Sequence, residues 1–259
     1  MLRLFLLFLM FVFICGCQTY TIDPISQSEM ELKMTKKSFT SSNGVSFVYR
    51  IYVPSVTRQI PIIFYLHGAG QRGINNKSQL DEAVGSLLSI TQEKDEYTSI
   101  IVAPQCPNDV FWRDDEILEA LSEFIVTICN DKLVDKSRIY ITGYSMGGDA
   151  TWKLAIKHPD IFSTAIPICG GPLSYMEPDR PEVPKETSEL NIWAFNNFDD
   201  GVVRPDYSKY MFSKIWNYKI NDKLNFTESI EGGHNAINIY RNRKYMIWML
   251  STKKKISCK

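Results

Sequence analysis

The segment that most constrains this chain is Gly143-Tyr144-Ser145-Met146-Gly147, set between the β-rich run Arg138 to Thr142 and the helical stretch Met146 to Lys157. A serine placed between a strand and a helix, with glycine two residues away on either side, predicts a sharp turn that exposes its hydroxyl. Such a turn strains the serine backbone, and a side chain at Gly143 or Gly147 would collide with the neighbouring strand or helix. The start of the helix also aims the Met146 amide at a point where negative charge could be held. Ser145 is therefore read as a candidate nucleophile.

The rest of the chain fits around that turn. Asn43-Gly44 lies between two strand-like stretches and signals a hairpin from Ser38 onward. Apolar, β-rich runs then alternate with helical ones: strands at Ile60 to Leu66, Ile100 to Ala103, Arg138 to Thr142, Thr164 to Ile168, Asn191 to Phe195 and Asn225 to Ile230, and helices near Gln79 to Ile90, Glu116 to Cys129, Met146 to Lys157 and Asn242 to Ser251. Short apolar strands alternating with helices predict an α/β fold, a mostly parallel sheet covered on both faces with an antiparallel N-terminal hairpin. Ligands bind such sheets at the carboxyl ends of the strands. Gly170 to Ser188, with four prolines and little periodicity, reads as a lid or substrate wall.

A serine nucleophile needs a base, and the chain has 3 histidines. His158 stands just before Pro159 at a predicted helix end and reads as a capping or surface residue. His67 opens His67-Gly68-Ala69-Gly70 directly after a strand and reads as a residue that shapes this loop. His234, in Glu231-Gly232-Gly233-His234-Asn235, lies between the last strand and the last helix and is the candidate base. The acid that orients it should follow the strand Asn191 to Phe195, where Asp199 and Asp200 both stand; one of the two accepts from His234 and the other is a turn residue.

Several segments together resemble those of bacterial α/β-hydrolases: Phe64 to Gly73, Ala103 to Pro107, Arg138 to Gly148, His158 to Phe162, Trp193 to Phe195 and Gly232 to Asn235. The group is that of carboxylesterase and phospholipase-like proteins related to prolyl oligopeptidase, feruloyl esterase and polyhydroxybutyrate depolymerase, and the resemblance runs from about Ser38 to the end. It implies an α/β-hydrolase fold for residues 38–259 and a triad of Ser145, His234 and Asp200, with the amides of Ala69 and Met146 as oxyanion donors. It also implies cleavage of a carboxylic ester through an acyl-enzyme, without cofactor or metal. The alternatives are a prolyl oligopeptidase-like peptidase and a binding lipoprotein that has lost catalysis. The chain departs from the family pattern at Asn196-Asn197, where His-Gly is usual. Asn tolerates the left-handed conformation, so Asn197 can keep the turn.

The substrate leaves less trace. Gln71, Arg72, Phe111, Trp112 and Tyr144 are candidate wall residues, with Tyr144 and Trp112 the two chosen for substrate binding. Tyr207, Tyr210, Phe212, Trp216 and Tyr218 recur at helical spacing and read as packing.

At the N-terminus, Arg3 precedes an apolar run from Leu4 to Cys15, too short to span a bilayer. A charged start, short apolar core and small residues at its end describe an export signal, residues 1–16. Ile14-Cys15-Gly16-Cys17 resembles the bacterial lipobox, which implies a lipid on Cys17, a polar tether over 17–37 and a protein anchored to the cell envelope. Export would permit oxidation of Cys106, Cys129, Cys169 and Cys258, although buried free thiols fit their positions equally well. The balance of 29 Lys+Arg against 29 Asp+Glu leaves no basic surplus for a phosphate backbone, which argues against nucleic acid as a partner.

Overall fold

The computed structural model describes residues 21–173, 180–218 and 224–254. Residues 1–16 with the proposed signal, Cys17, Cys258 and residues 174–179 of the proline-rich segment lie outside the described residues. An eight-stranded sheet, in the order β1-β2-β4-β3-β5-β6-β7-β8, forms the centre. Its strands are β1 (Thr35–Thr40), β2 (Ser46–Tyr52), β3 (Ile60–Leu66), β4 (Ile100–Gln105), β5 (Val134–Tyr144), β6 (Thr164–Ile168), β7 (Asn191–Asn197) and β8 (Leu224–Ser229). β1 and β2 pair antiparallel around the Asn43-Gly44 turn, β2 joins β4 antiparallel, and the remaining pairings are parallel. This is the α/β-hydrolase architecture.

Every residue of β3, β4 and β6 is buried, as two covered faces require. On β3, Ile62, Phe64 and Leu66 enter the layer beneath α3 (Asp115–Cys129), α4 (Met146–Lys157) and α5 (Asp206–Trp216). Ile63 and Tyr65 enter the opposite layer, beneath α1 (Gln27–Lys33), α2 (Glu82–Thr91) and α6 (Arg243–Ser251). Alternation along a strand thus builds both cores at once. Cys106, Cys129 and Cys169 are free and buried, with no disulfide among the described residues.

Three sequence expectations need correction. Residues 21–37, read as tether, are structured. Ser26 caps α1, Ile22, Met30 and Met34 are buried, and β1 begins at Thr35 instead of Ser38. Met30 and Met34 stand four apart and bury one side of a single turn and a half, a pattern too short to read as periodicity. The aromatic series on α5 is only partly packing: Tyr207 is buried, but Trp216 and Tyr218 are exposed. Asn197 is not left-handed. It closes β7 as an extended residue, and the described non-glycine residues with positive φ are Asn76, Asp109, Ser145 and Cys169.

Candidate active site

The turn at Ser145 is built as its glycines require. Ser145 has φ 57° and ψ −118°, and its amide donates to Ile168 O at 2.8 Å. An ideal Cβ on Gly147 would stand 1.8 Å from Leu66 O, and one on Gly143 would stand 2.3 Å from Gly147 O. The helix therefore starts directly against β3, and Ser145 is forced up at the carboxyl edge of the sheet.

At that edge three side chains form a relay. Ser145 Oγ lies 2.7 Å from His234 Nε2, and His234 Nδ1 lies 2.8 Å from Asp200 Oδ2. Asp200 is buried, and its other oxygen accepts from the amides of Val202 and Val203 at 2.9 and 2.8 Å. Burial alone would raise its carboxyl, but the His234 bond and these amides outweigh burial and hold it below the ordinary value. An ionised carboxylate facing Nδ1 fixes the proton there and leaves Nε2 as acceptor for the serine hydroxyl. Of Asp199 and Asp200, it is Asp200 whose carboxylate lies against His234. Asp199 is exposed and accepts instead from the amides of Gly233 at 2.8 Å and Gly232 at 3.3 Å.

His67 shapes the loop after β3. Its Nδ1 donates to Gly68 O at 2.6 Å, and its Nε2 accepts from Cys106 N at 3.0 Å. Burial lowers its pKa to about 4, which keeps the ring neutral and able to accept. Ala69 stands next in the loop, where Arg72 Nε donates to Ala69 O at 3.0 Å. His158 is the C-cap of α4, as its sequence position suggested.

A cavity of about 190 Å³ opens beside Ser145, bordered by Ala69, Arg72, Phe111, Met146, Leu173 and Val203, with Arg113 and Asp149 paired at 3.1 Å in its wall. Of the expected wall residues Arg72 and Phe111 are there, the guanidinium lying 4.9 Å over the ring. Trp112 is not. It is fully buried, its Nε1 donates to His67 O at 3.3 Å, and it packs edge-on against Phe47, so the indole props the loop from beneath. Tyr144 does not border this cavity either; its hydroxyl donates to His234 O. Leu173 belongs to the Gly170 to Ser188 segment expected as a wall, whereas sequence reasoning missed Arg113, Asp149 and Val203. The one signal for Asp149 was its spacing, four residues after Ser145 and so one turn along the same helix face.

Cys169 also reaches the relay. It ends β6 with φ 45°, and ligand atoms of Cys169, Asp200 and His234 lie within 4.8 Å of one another. No spacing in the sequence announced this group. Burial, reinforced by the Asp200 charge, pushes the thiol up to about 12, which disfavours the thiolate a metal would need.

No family model matches the chain. Over 154 residues, 57% of its length, the chain is 28% identical to a poly(3-hydroxyalkanoate) depolymerase C from Paucimonas lemoignei, of which it covers 37%. A solved thermostable esterase superposes with a TM-score of 0.73 at 28% identity, over 86% of this chain and 63% of that one. An acylaminoacyl peptidase from Pyrococcus horikoshii shares the fold, with a TM-score of 0.57, 14% identity, and coverage of 88% of this chain and 43% of its own. The chain thus spans little over a third of the depolymerase and less than two thirds of the esterase.

Proposed function

We propose that the chain is a serine hydrolase that cleaves carboxylic esters. The observation that carries this reading is the continuous relay from Ser145 through His234 to Asp200, with the serine on a strained turn at the mouth of a cavity. Ser145 Oγ attacks the ester carbonyl as its proton passes to His234 Nε2, and the buried Asp200 carboxylate stabilises the imidazolium. The carbonyl oxygen, now negative, is held by the amides of Ala69 and Met146. His234 returns the proton to the departing alkoxide, leaving an acyl-serine. Water then repeats the cycle, losing its proton to His234, and releases the acid and free Ser145.

The depolymerase relative supports a polyester as one form of the substrate, a second reading within the same chemistry. A peptidase finds support only in a shared fold, which carries many activities. The lipobox-like Ile14 to Cys17 supports lipidation of Cys17 and attachment to the cell envelope, with the catalytic domain held at a membrane. No helix among the described residues is long and apolar enough to cross one.

The decisive test treats purified protein, beside Ser145→Ala, with a fluorescent fluorophosphonate and with p-nitrophenyl esters and anilides. Labelling and ester turnover are expected in the wild type and absent from the variant, with anilides untouched. A folded wild-type protein that neither labels nor turns over would overturn the reading in favour of a binding protein. For the anchor, labelled palmitate should enter the wild-type chain in a bacterial host and not Cys17→Ala.

A further inference from the structure

The turn that carries His234 is intrinsically loose. Gly232 and Gly233 precede the histidine with φ of +146° and +55°, and two glycines in sequence leave a backbone with many accessible conformations. One bond of its own, from Asn235 N to Gly232 O at 3.1 Å, closes the turn, and the Tyr144 hydroxyl donates to His234 O, but neither engages the amides of Gly232 and Gly233. The segment leaving β7 supplies what the turn lacks, almost residue for residue. Phe198 N donates to Ser229 O at 2.8 Å and ties the two strand ends together. Asn197 Nδ2 donates to Gly233 O at 2.9 Å, and Asp199 accepts from the amides of Gly232 and Gly233, in the two preceding peptides. Asp200 then takes Nδ1 of His234 itself. Asn197 also packs so closely that a Cβ on Gly232 would stand 2.6 Å from its Nδ2, so a side chain there would displace the amide that holds the turn.

We propose that Asp199 is a positioning residue for His234, acting with Asn197 as a clamp on the Gly232-Gly233 turn. This rests on the serine-hydrolase reading above. The two neighbouring carboxylates divide the work: Asp200 orients the imidazole ring, and Asp199 fixes the backbone from which the ring projects. Asp199 touches neither substrate nor reacting atoms, and its exposure separates it from the core. Its bonds go to backbone amides, which a carboxylate accepts strongly even near water.

The test compares Asp199→Ala and Asp199→Asn with wild type, following kcat and KM on a p-nitrophenyl ester, the fluorophosphonate labelling rate, thermal unfolding, and hydrogen exchange at Gly232 and Gly233. Misplacing a catalytic group by about 1 Å can cost about 100-fold, so Asp199→Ala should lose about 10- to 100-fold in kcat and in labelling rate. KM and the unfolding midpoint should stay near wild type, and the two glycine amides should exchange faster. Asp199→Asn keeps one acceptor oxygen for the Gly233 amide and should recover most of kcat. Wild-type kcat in Asp199→Ala, or an Asp199→Asn protein as slow as Asp199→Ala, would overturn the proposal. If Asp199→Ala does not fold, Asp199→Asn decides alone: kcat within a few-fold of wild type with faster exchange at Gly232 upholds the clamp, and unchanged exchange refutes it. A wild-type protein without labelling or turnover on any ester would remove the hydrolase reading and the clamp's purpose together, a different result from an active enzyme indifferent to Asp199.

Discussion

At the residue scale, His67 has a role that is chemically unlike that of His234. It is buried and neutral, and it can accept from Cys106 N only while Nε2 lacks a proton. Its pKa is depressed from 6.5 to about 4 by burial, so the stability it contributes is complete above about pH 6.5 and is lost as pH falls through about 4. The depression corresponds to ~3 kcal/mol at most. Asp81, whose carboxyl is raised to about 6 chiefly by burial, works in the opposite direction over the same range. The whole-protein stability curve therefore blurs the two, and the variant difference is the quantity to measure. The stability advantage of wild type over His67→Gln, from urea unfolding, should shrink steadily between pH 7 and pH 4.5. A constant difference would mean that the ring takes up its proton as readily in the folded state as in the unfolded one. Because this ring shapes the loop bearing Ala69, activity should fail on the acid side together with that advantage.

At the scale of elements, β5, its turn and α4 were legible because one local rule governed them. The helix Met146–Lys157 and strand Thr164–Ile168 match their expected limits, and the glycines sit where a side chain would meet backbone. Ser145 and His234 were legible from residue type and chain order, which left Asp199 and Asp200 open; only the family resemblance pointed to Asp200, the carboxylate that lies against His234. What escaped was whatever depends on the direction of a side chain. Phe111 and Trp112 are neighbours, yet the first faces the cavity and the second the core. Asn197 was read for its backbone and acts through its side-chain amide. The cavity itself yields a prediction at this scale. About 190 Å³ falls below the usual range for drug-sized ligands, so a short acyl group fits it best. With p-nitrophenyl esters kcat/KM should peak at a short chain and fall for octanoate, and Leu173→Ala should move the peak to longer chains. An unmoved peak would place the acyl group elsewhere.

At the scale of the whole molecule, the segment taken for a tether belongs to the domain. Ile22 N donates to Arg241 O at 2.7 Å, which ties the first described residues to the approach of α6. Met30 and Met34 fill the layer under α1, and the buried Arg50 donates to Met34 O at 2.8 Å and to Glu31 O at 3.2 Å. The same guanidinium donates to Asn76 O at 2.7 Å, in the stretch between the Ala69 loop and α2, so the N-terminal segment supports that stretch from behind. Burial of three large apolar side chains contributes roughly 1.5–3 kcal/mol each. Their sum is comparable with the whole stability of an ordinary domain, about 5–15 kcal/mol. Deleting them would also take from the buried Arg50 the carbonyls of Glu31 and Met34, leaving it that of Asn76, at a further cost. A chain beginning at Thr21 should therefore unfold in urea at the same midpoint as one beginning at Cys17, whereas a chain beginning at Ser38, the boundary that the sequence alone suggests, should be largely unfolded at 25 °C. A stable, fluorophosphonate-reactive protein beginning at Ser38 would show that α1 merely rests on the domain. The intermediate variant Met30→Ala should lose about 2–5 kcal/mol if the packing matters as described.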